Sequence, residues 1–258
     1  MNRSTGLGEL FARGDEVGVG EVAAHIAQLD DDAPPVPDIL ASFDDLVDDE
    51  VSTISQLMTH VFGTLGFRGN TEAYYAKSNS YLHRVLDSRL GIPISLSVVA
   101  IEIGARCGLA IEPIGMPAHL LLGAGTGDNR RWFDPMAGGR ELDLDGVQAL
   151  FQSLVPDTPF EMRFLDPIGP LDVATRMLNN LRGIEFRTGD LRSLSSVVAA
   201  QIELPDVAVG ARLEFAQLFA SRGHYAAAID QLEALTNLDP DRHSQYRAAI
   251  TRLRANFN

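Results

Sequence analysis

One cysteine, one lysine and one tryptophan are present in 258 residues, and each scarcity removes a class of function. The lone thiol, Cys107, excludes an internal disulfide framework and any metal site built from several thiolates. Basic charge is also in short supply: 21 Lys and Arg face 35 Asp and Glu, leaving a net charge of −14. A surface of that sign repels phosphate backbones and anionic membranes, so neither nucleic acid nor membrane is expected as a partner. Only the tail reverses the balance, where Arg242, Arg247, Arg252 and Arg254 outweigh Asp241 on what reads as a solvated terminal helix. No uncharged apolar run approaches the ~20 residues of a spanning helix, and the opening residues lack a basic head followed by an apolar stretch. The expectation is a cytoplasmic protein. His-Glu-x-x-His is missing, and His25, His60, His83, His224 and His243 are scattered over separate segments, so no metal and no cofactor is expected.

What is present is a globular composition, 45% hydrophobic and 22% charged, with the charge unevenly spread. Residues 1–50 hold 13 acids and 2 bases and so carry −11 of the net charge. Residues 1–66 read as a helical leader: Val22, Ile26 and Leu29 recur at helical spacing, "DDDAPPVPD" breaks the pattern, and "ILASFDDLV" and "STISQLMTHVFGTLGF" resume it. Residues 67–168 change character. There "IPISLSVVAIEIGARCGLAI" places Pro93 in a first turn and Gly108 at a natural stop, with apolar residues around most of the circumference, as in a buried central helix. Around that helix Ser95 aligns with Glu102 and Arg106 as a polar stripe, while Pro93, Ser97, Ala100 and Gly104 form a small-residue face that a strand can approach. Two strand-like runs follow, "IEPIGMPAHLLL" and "RRWFDP", joined by "GAGTGDN", which lacks the lysine of a phosphate loop and reads as a hairpin turn. A central helix packed on a small antiparallel sheet is an α+β arrangement. Residues 169–258 are helical again, and Gly189 and Gly223 lie one 34-residue period apart, the period of tetratricopeptide repeats. That short array is either a helical lid on the core or a peptide-binding groove.

If Gly123–Asn129 forms the turn, Leu122 pairs with Arg131 and His119 falls opposite Asp134. Residues so opposed share a face, with Cβ atoms ~5 Å apart, and the carboxylate then fixes the tautomer of the imidazole. The pair is either an acid–base dyad or a bond that merely satisfies a half-buried sheet. Cys107 is a poor nucleophile for it. It lies at the C-terminal end of the central helix, roughly 20 Å from the other end at 1.5 Å per residue, where the macrodipole disfavours a thiolate. Ser95 and Ser97, in the first turns, are the remaining candidates, although neither has the sharp turn of an α/β-hydrolase serine. Asn79, in "NSYL", either lines the cleft or, like Ser80, caps a helix.

"GFRGNTEAYYAKSNSYLHRVLDSRLGIPISLSVVAIEIGARCGL", "GMPAHLLL" and "WFDPMAGGR" together resemble the SirB-type family of bacterial transglutaminase-like proteins, whose core is commonly followed by tetratricopeptide repeats. The resemblance runs from about Phe67 to Pro240 and implies a divergent transglutaminase/papain-like core. It implies His119 and Asp134 as the family's His and Asp. Where the catalytic enzymes have glycine, one residue and then the nucleophilic cysteine, this chain has Gly91, Ile92 and Pro93, so the resemblance also implies that the thiol is lost. The family often reads Pro-Gly-His where this chain has Pro117, Ala118 and His119. Two functions stay open: a non-catalytic core that binds a protein or peptide partner, or a hydrolase or acyltransferase that uses His119 with Ser97, Ser95 or water.

Overall fold

Residues 5–13, 17–205 and 208–255 are described by the computed structural model. The leader contributes α1 (Leu7–Phe11), α2 (Val19–Ala27), α3 (Val36–Ala41) and α4 (Ile54–Met58). The run from Ser52 is not one regular helix: Thr53 caps α4 by accepting from the Gln56 amide, and the chain then widens into a π-turn over Thr59–Thr64. Next come β1 (Arg68–Gly69), α5 (Leu82–Ser88) and β2 (Leu90–Gly91), with β1 and β2 paired in parallel.

The central helix is α6 (Pro93–Arg106), opened by Pro93 at its first position and stopped by Gly108 at φ 73°. Every residue from Pro93 to Ala100 is buried. The polar stripe ends in the leader: Glu102 accepts from the Gly20 amide at 3.1 Å, and Arg106 bonds both Glu102 (2.6 Å) and Asp44 (3.0 Å). A Cβ at Gly20 would stand 2.2 Å from the Glu102 carboxyl carbon, so a side chain there would displace the carboxylate from the Gly20 amide. At Gly104 the small face meets helix α4, with Leu57 2.8 Å from where a Cβ would be.

The sheet follows. β3 (Glu112–Ile114), β4 (Leu121–Ala124), β5 (Arg131–Asp134) and β6 (Arg140–Leu142) form an antiparallel meander in that order. This differs from the sequence expectation in three ways. The run Ile111–Leu122 is two strands, because Gly115 and Pro117 interrupt it and Ala118 turns the chain through a left-handed φ of 63°. β6 is an additional strand. The hairpin pairs Leu122 with Phe133 and Ala124 with Arg131, two residues away from the expected register. On one face Leu120, Leu122, Ala124 and Phe133 pack in the core shared with α6. On the other, Ile114, Leu121 and Leu142 meet Val147 and Phe151 of α7 (Leu144–Leu154).

The rest is helical: α8 (Pro170–Thr188), α9 (Leu191–Glu203), α10 (Ala208–Ser221), α11 (Tyr225–Leu238) and α12 (His243–Arg254). Gly189 and Gly223 occupy equivalent places, left-handed turns at φ 75° and 77° between α8 and α9 and between α10 and α11. One apolar core joins Leu7, Val22, Leu96, Phe133, Leu178 and Leu204, so it is continuous across residues 66 and 168. Smaller clusters hold α9 to α12 together. Among the described residues no helix is long and apolar enough to cross a membrane, and no group of three or more His, Cys, Asp or Glu is placed to hold a metal ion.

Candidate active site

His119 leaves the turn that Ala118 makes, and its Nε2 lies 2.9 Å from Asp134 Oδ1. The contact survives the shifted register because a slip of two, unlike a slip of one, preserves the face. His119 then becomes a diagonal neighbour of Asp134 instead of a direct one, and the far nitrogen of the ring makes the bond. Both side chains are about 8% exposed. Asp134 Oδ1 also accepts from the Met136 amide at 2.9 Å. Burial pushes the Asp134 carboxyl upward, but the bonds from His119 and from the Met136 and Ala137 amides outweigh it, and the group is held below the ordinary aspartate value. With Nε2 on the carboxylate, Nδ1 has no protein partner among the described residues, and the ring lines a cavity of about 220 Å³.

Pro93 and Ile94, at the start of α6, line that cavity with His119. The serines do not. Ser95 is fully buried: its hydroxyl accepts from the Ile92 amide (3.0 Å) and donates to the Asn79 carbonyl (2.6 Å). Ser97 is fully buried too, and its hydroxyl has no partner among the described residues, His119 included. Asn79 neither caps α5, where Tyr81 takes that place, nor lines the cavity. Its side chain accepts from Asn70 (3.0 Å) and donates to the carbonyls of Ala73 (2.7 Å) and Tyr74 (3.0 Å). Ser95 and Asn79 are therefore brought together, 16 residues apart, as a buried brace between the start of α6 and the Tyr74 wall of the cavity. Gly91 serves the same brace, since a Cβ there would lie 2.7 Å from Ser95 Oγ. Cys107 caps the far end of α6, half-buried, with Sγ 3.9 Å from the Asp48 carbonyl.

A sequence profile of the transglutaminase-like superfamily matches residues 20–179. The chain belongs to that superfamily. The matched span begins in α2, includes α6, the sheet and the His119–Asp134 pair, and ends in α8, so it takes in residues 20–66 of the leader. Among curated relatives, a UPF0162 protein of Xylella fastidiosa strain 9a5c is 30% identical over 193 residues, covering 72% of this chain and 67% of its own. F-box only protein 21 of Pongo abelii is 27% identical over 205 residues, 74% of this chain but 32% of that protein. The human F-box only protein 21 is 40% identical over a shorter stretch of 94 residues, 36% of this chain and 14% of its own length. No solved structure matches.

In this transglutaminase-like core the reading of the sequence missed the wall opposite His119. Arg176, Asn179 and Asn180 of α8 complete the cavity, with Tyr74. Arg176 donates to the carbonyls of Met116 (3.0 Å) and Gly115, bracing the turn that delivers His119. Its partners are main-chain oxygens, which leave no mark in a sequence. The helical spacing of Arg176, Asn180 and Arg187 was the available signal: a polar line on a helix whose other side, Met177, Leu178 and Leu181, is buried.

Proposed function

We propose that this transglutaminase-like core is a peptide- or protein-binding module that has lost its thiol nucleophile. The observation that carries the reading is the pair Pro93 and Ile94 beside His119 in the cavity, with the chain's one cysteine at the opposite end of α6. A covalent acyl intermediate needs a nucleophile within reach of the histidine, and a proline ring supplies none. The helices α8–α12 extend the reading as a short tetratricopeptide-like array whose first helix forms one side of the cavity. The alternative, a hydrolase or acyltransferase working by His119 on water, rests on the unpartnered Nδ1, which is free to take a proton.

One experiment separates the two. Full-length protein and His119→Ala are incubated with ester, thioester and amide panels, and in parallel with immobilised randomised pentapeptide pools. Retention of peptides without turnover above the blank is the expected result. Turnover that His119→Ala abolishes overturns the binding module in favour of the enzyme.

A further inference from the structure

The cavity beside His119 does not end at Asn180. A second one, about 250 Å³, continues from Tyr74, Asn179 and Asn180, which line both, to Tyr75, Ile184 and Arg187. The α8 residues concerned, from Arg176 to Arg187, recur at the spacing of one helix face. At 1.5 Å per residue that face runs roughly 16 Å, the length of about five residues of extended chain. The other wall is the Tyr74–Tyr75 loop, which the Asn79 brace holds and over which the Arg187 guanidinium sits, 3.6 Å from the Tyr75 ring centroid. The groove is thus walled on both sides by braced structure.

Its charge opposes that of the molecule. The chain carries −14, yet among the described residues no Asp or Glu lines either cavity, while Arg176 lines the first and Arg187 the second. Acids on the same helix make no ion pair with Arg176 among the described residues. Asp172, one turn before Arg176, is not within ion-pair distance of it, and Glu185 is turned inward, 1% exposed. Arg176 uses two of its five N–H donors on the carbonyls of Gly115 and Met116 and has no carboxylate partner among the described residues. Burial depresses its pKa, and the nearby charge of Asp172 offsets that only in part. Asn180, one residue past Asn179 at the same cavity, also has no partner for its amide, whereas Asn179 accepts from Gln201 at 2.8 Å. A cation with donors to spare, a free amide and an imidazole at one cavity are the complement of a carboxylate.

We infer that the groove takes an extended peptide by a carboxylate bound to Arg176, with Asn180 as the second donor. The inference rests on the peptide-binding reading above and gives it an anchor. The carboxylate is either the peptide's own C-terminus or an acidic side chain, which present the same two oxygens.

The test uses full-length protein labelled with ¹⁵N and four small probes: acetate, N-acetylglycine, N-acetylglutamic acid α-amide and, as the carboxylate-free control, N-acetylglycinamide. Saturable shifts of the Asn180 side-chain amide with the carboxylates, and none with the control, are expected. N-acetylglycine binding tighter than the glutamic acid derivative assigns a C-terminus; the opposite order assigns a side chain. Arg176→Gln is expected to weaken binding about tenfold or more, the usual cost of a lost charge-assisted bond, with part restored by Arg176→Lys. Because Arg176 also braces a turn, Asn180→Asp provides a second variant that leaves the turn untouched and repels the probe, read at the Arg176 Nε–H. Equal shifts from the control, or undiminished carboxylate binding in both Arg176→Gln and Asn180→Asp, overturn the inference. Pentapeptide pools retained equally with amidated and free ends, and with acids left out, defeat the carboxylate anchor and leave the peptide reading standing. Small carboxylates that bind while no pool is retained do the reverse.

Discussion

The two ends of α6 are built to opposite purposes. At the N-terminal end the helix meets a cavity, a histidine held by an aspartate and an arginine bonded to main-chain carbonyls, and it presents Pro93 and Ile94. At the C-terminal end lies the thiol, its Sγ 3.9 Å from the Asp48 carbonyl, next to the Glu102–Arg106–Asp44 network. The helix dipole favours an anion at the first end and disfavours one at the second. The chain's one cysteine and the cavity beside His119 are thus separated by the length of the helix.

The sharpest way to break that comparison is to move the thiol. With Pro93→Cys, iodoacetamide at neutral pH is expected to label the introduced thiol at least about tenfold faster than Cys107, measured by peptide mapping, because a helix N-terminus and a facing imidazole lower a thiol's pKa. Adding His119→Ala should shrink the ratio. Equal rates would mean that the start of α6 is not poised as described.

The next largest effect belongs to Asp134. Replacing it by Asn leaves His119 with a weaker partner, and about 1–3 kcal/mol of stability should be lost at neutral pH in urea unfolding. The carboxyl titrates lower in the folded protein than in the unfolded chain, where it ionises near 4. Its stabilisation is therefore complete above that value and disappears as pH falls through the folded pKa, so the gap between wild type and Asp134→Asn narrows in acid. A gap that stays constant down to pH 2 would deny the linkage.

The smallest effect sharpens the same end of the helix. Ala118 is held at φ 63°, where a Cβ costs of the order of 1 kcal/mol and glycine is at ease. Ala118→Gly is expected to raise thermal stability by that amount; a lower melting temperature would show that the turn is not strained.

Much of this was legible in the sequence, for identifiable reasons. Pro93 and Gly108 bound α6 because one fixes φ and the other accepts a positive one, and both are local. The His119–Asp134 contact came through although the register was misjudged, because the turn is Gly125–Arg130 and the error of two residues left parity intact. The break in the strand at Ala118 was hidden by an apolar run that suits one long strand as well as two short ones. Ser95 and Asn79 were singled out as chemistry and are found as a brace, since a hydroxyl bonded to a carbonyl 16 residues away has no signature in spacing. Arg176 was passed over for the same reason.

One side of helix α8 forms the groove, while Arg182 reaches Glu214 of α10 at 2.9 Å and Phe186 lies under Arg222, 4.7 Å from its ring centroid. A single helix is thus shared, residue by residue, between the groove and the helices behind it.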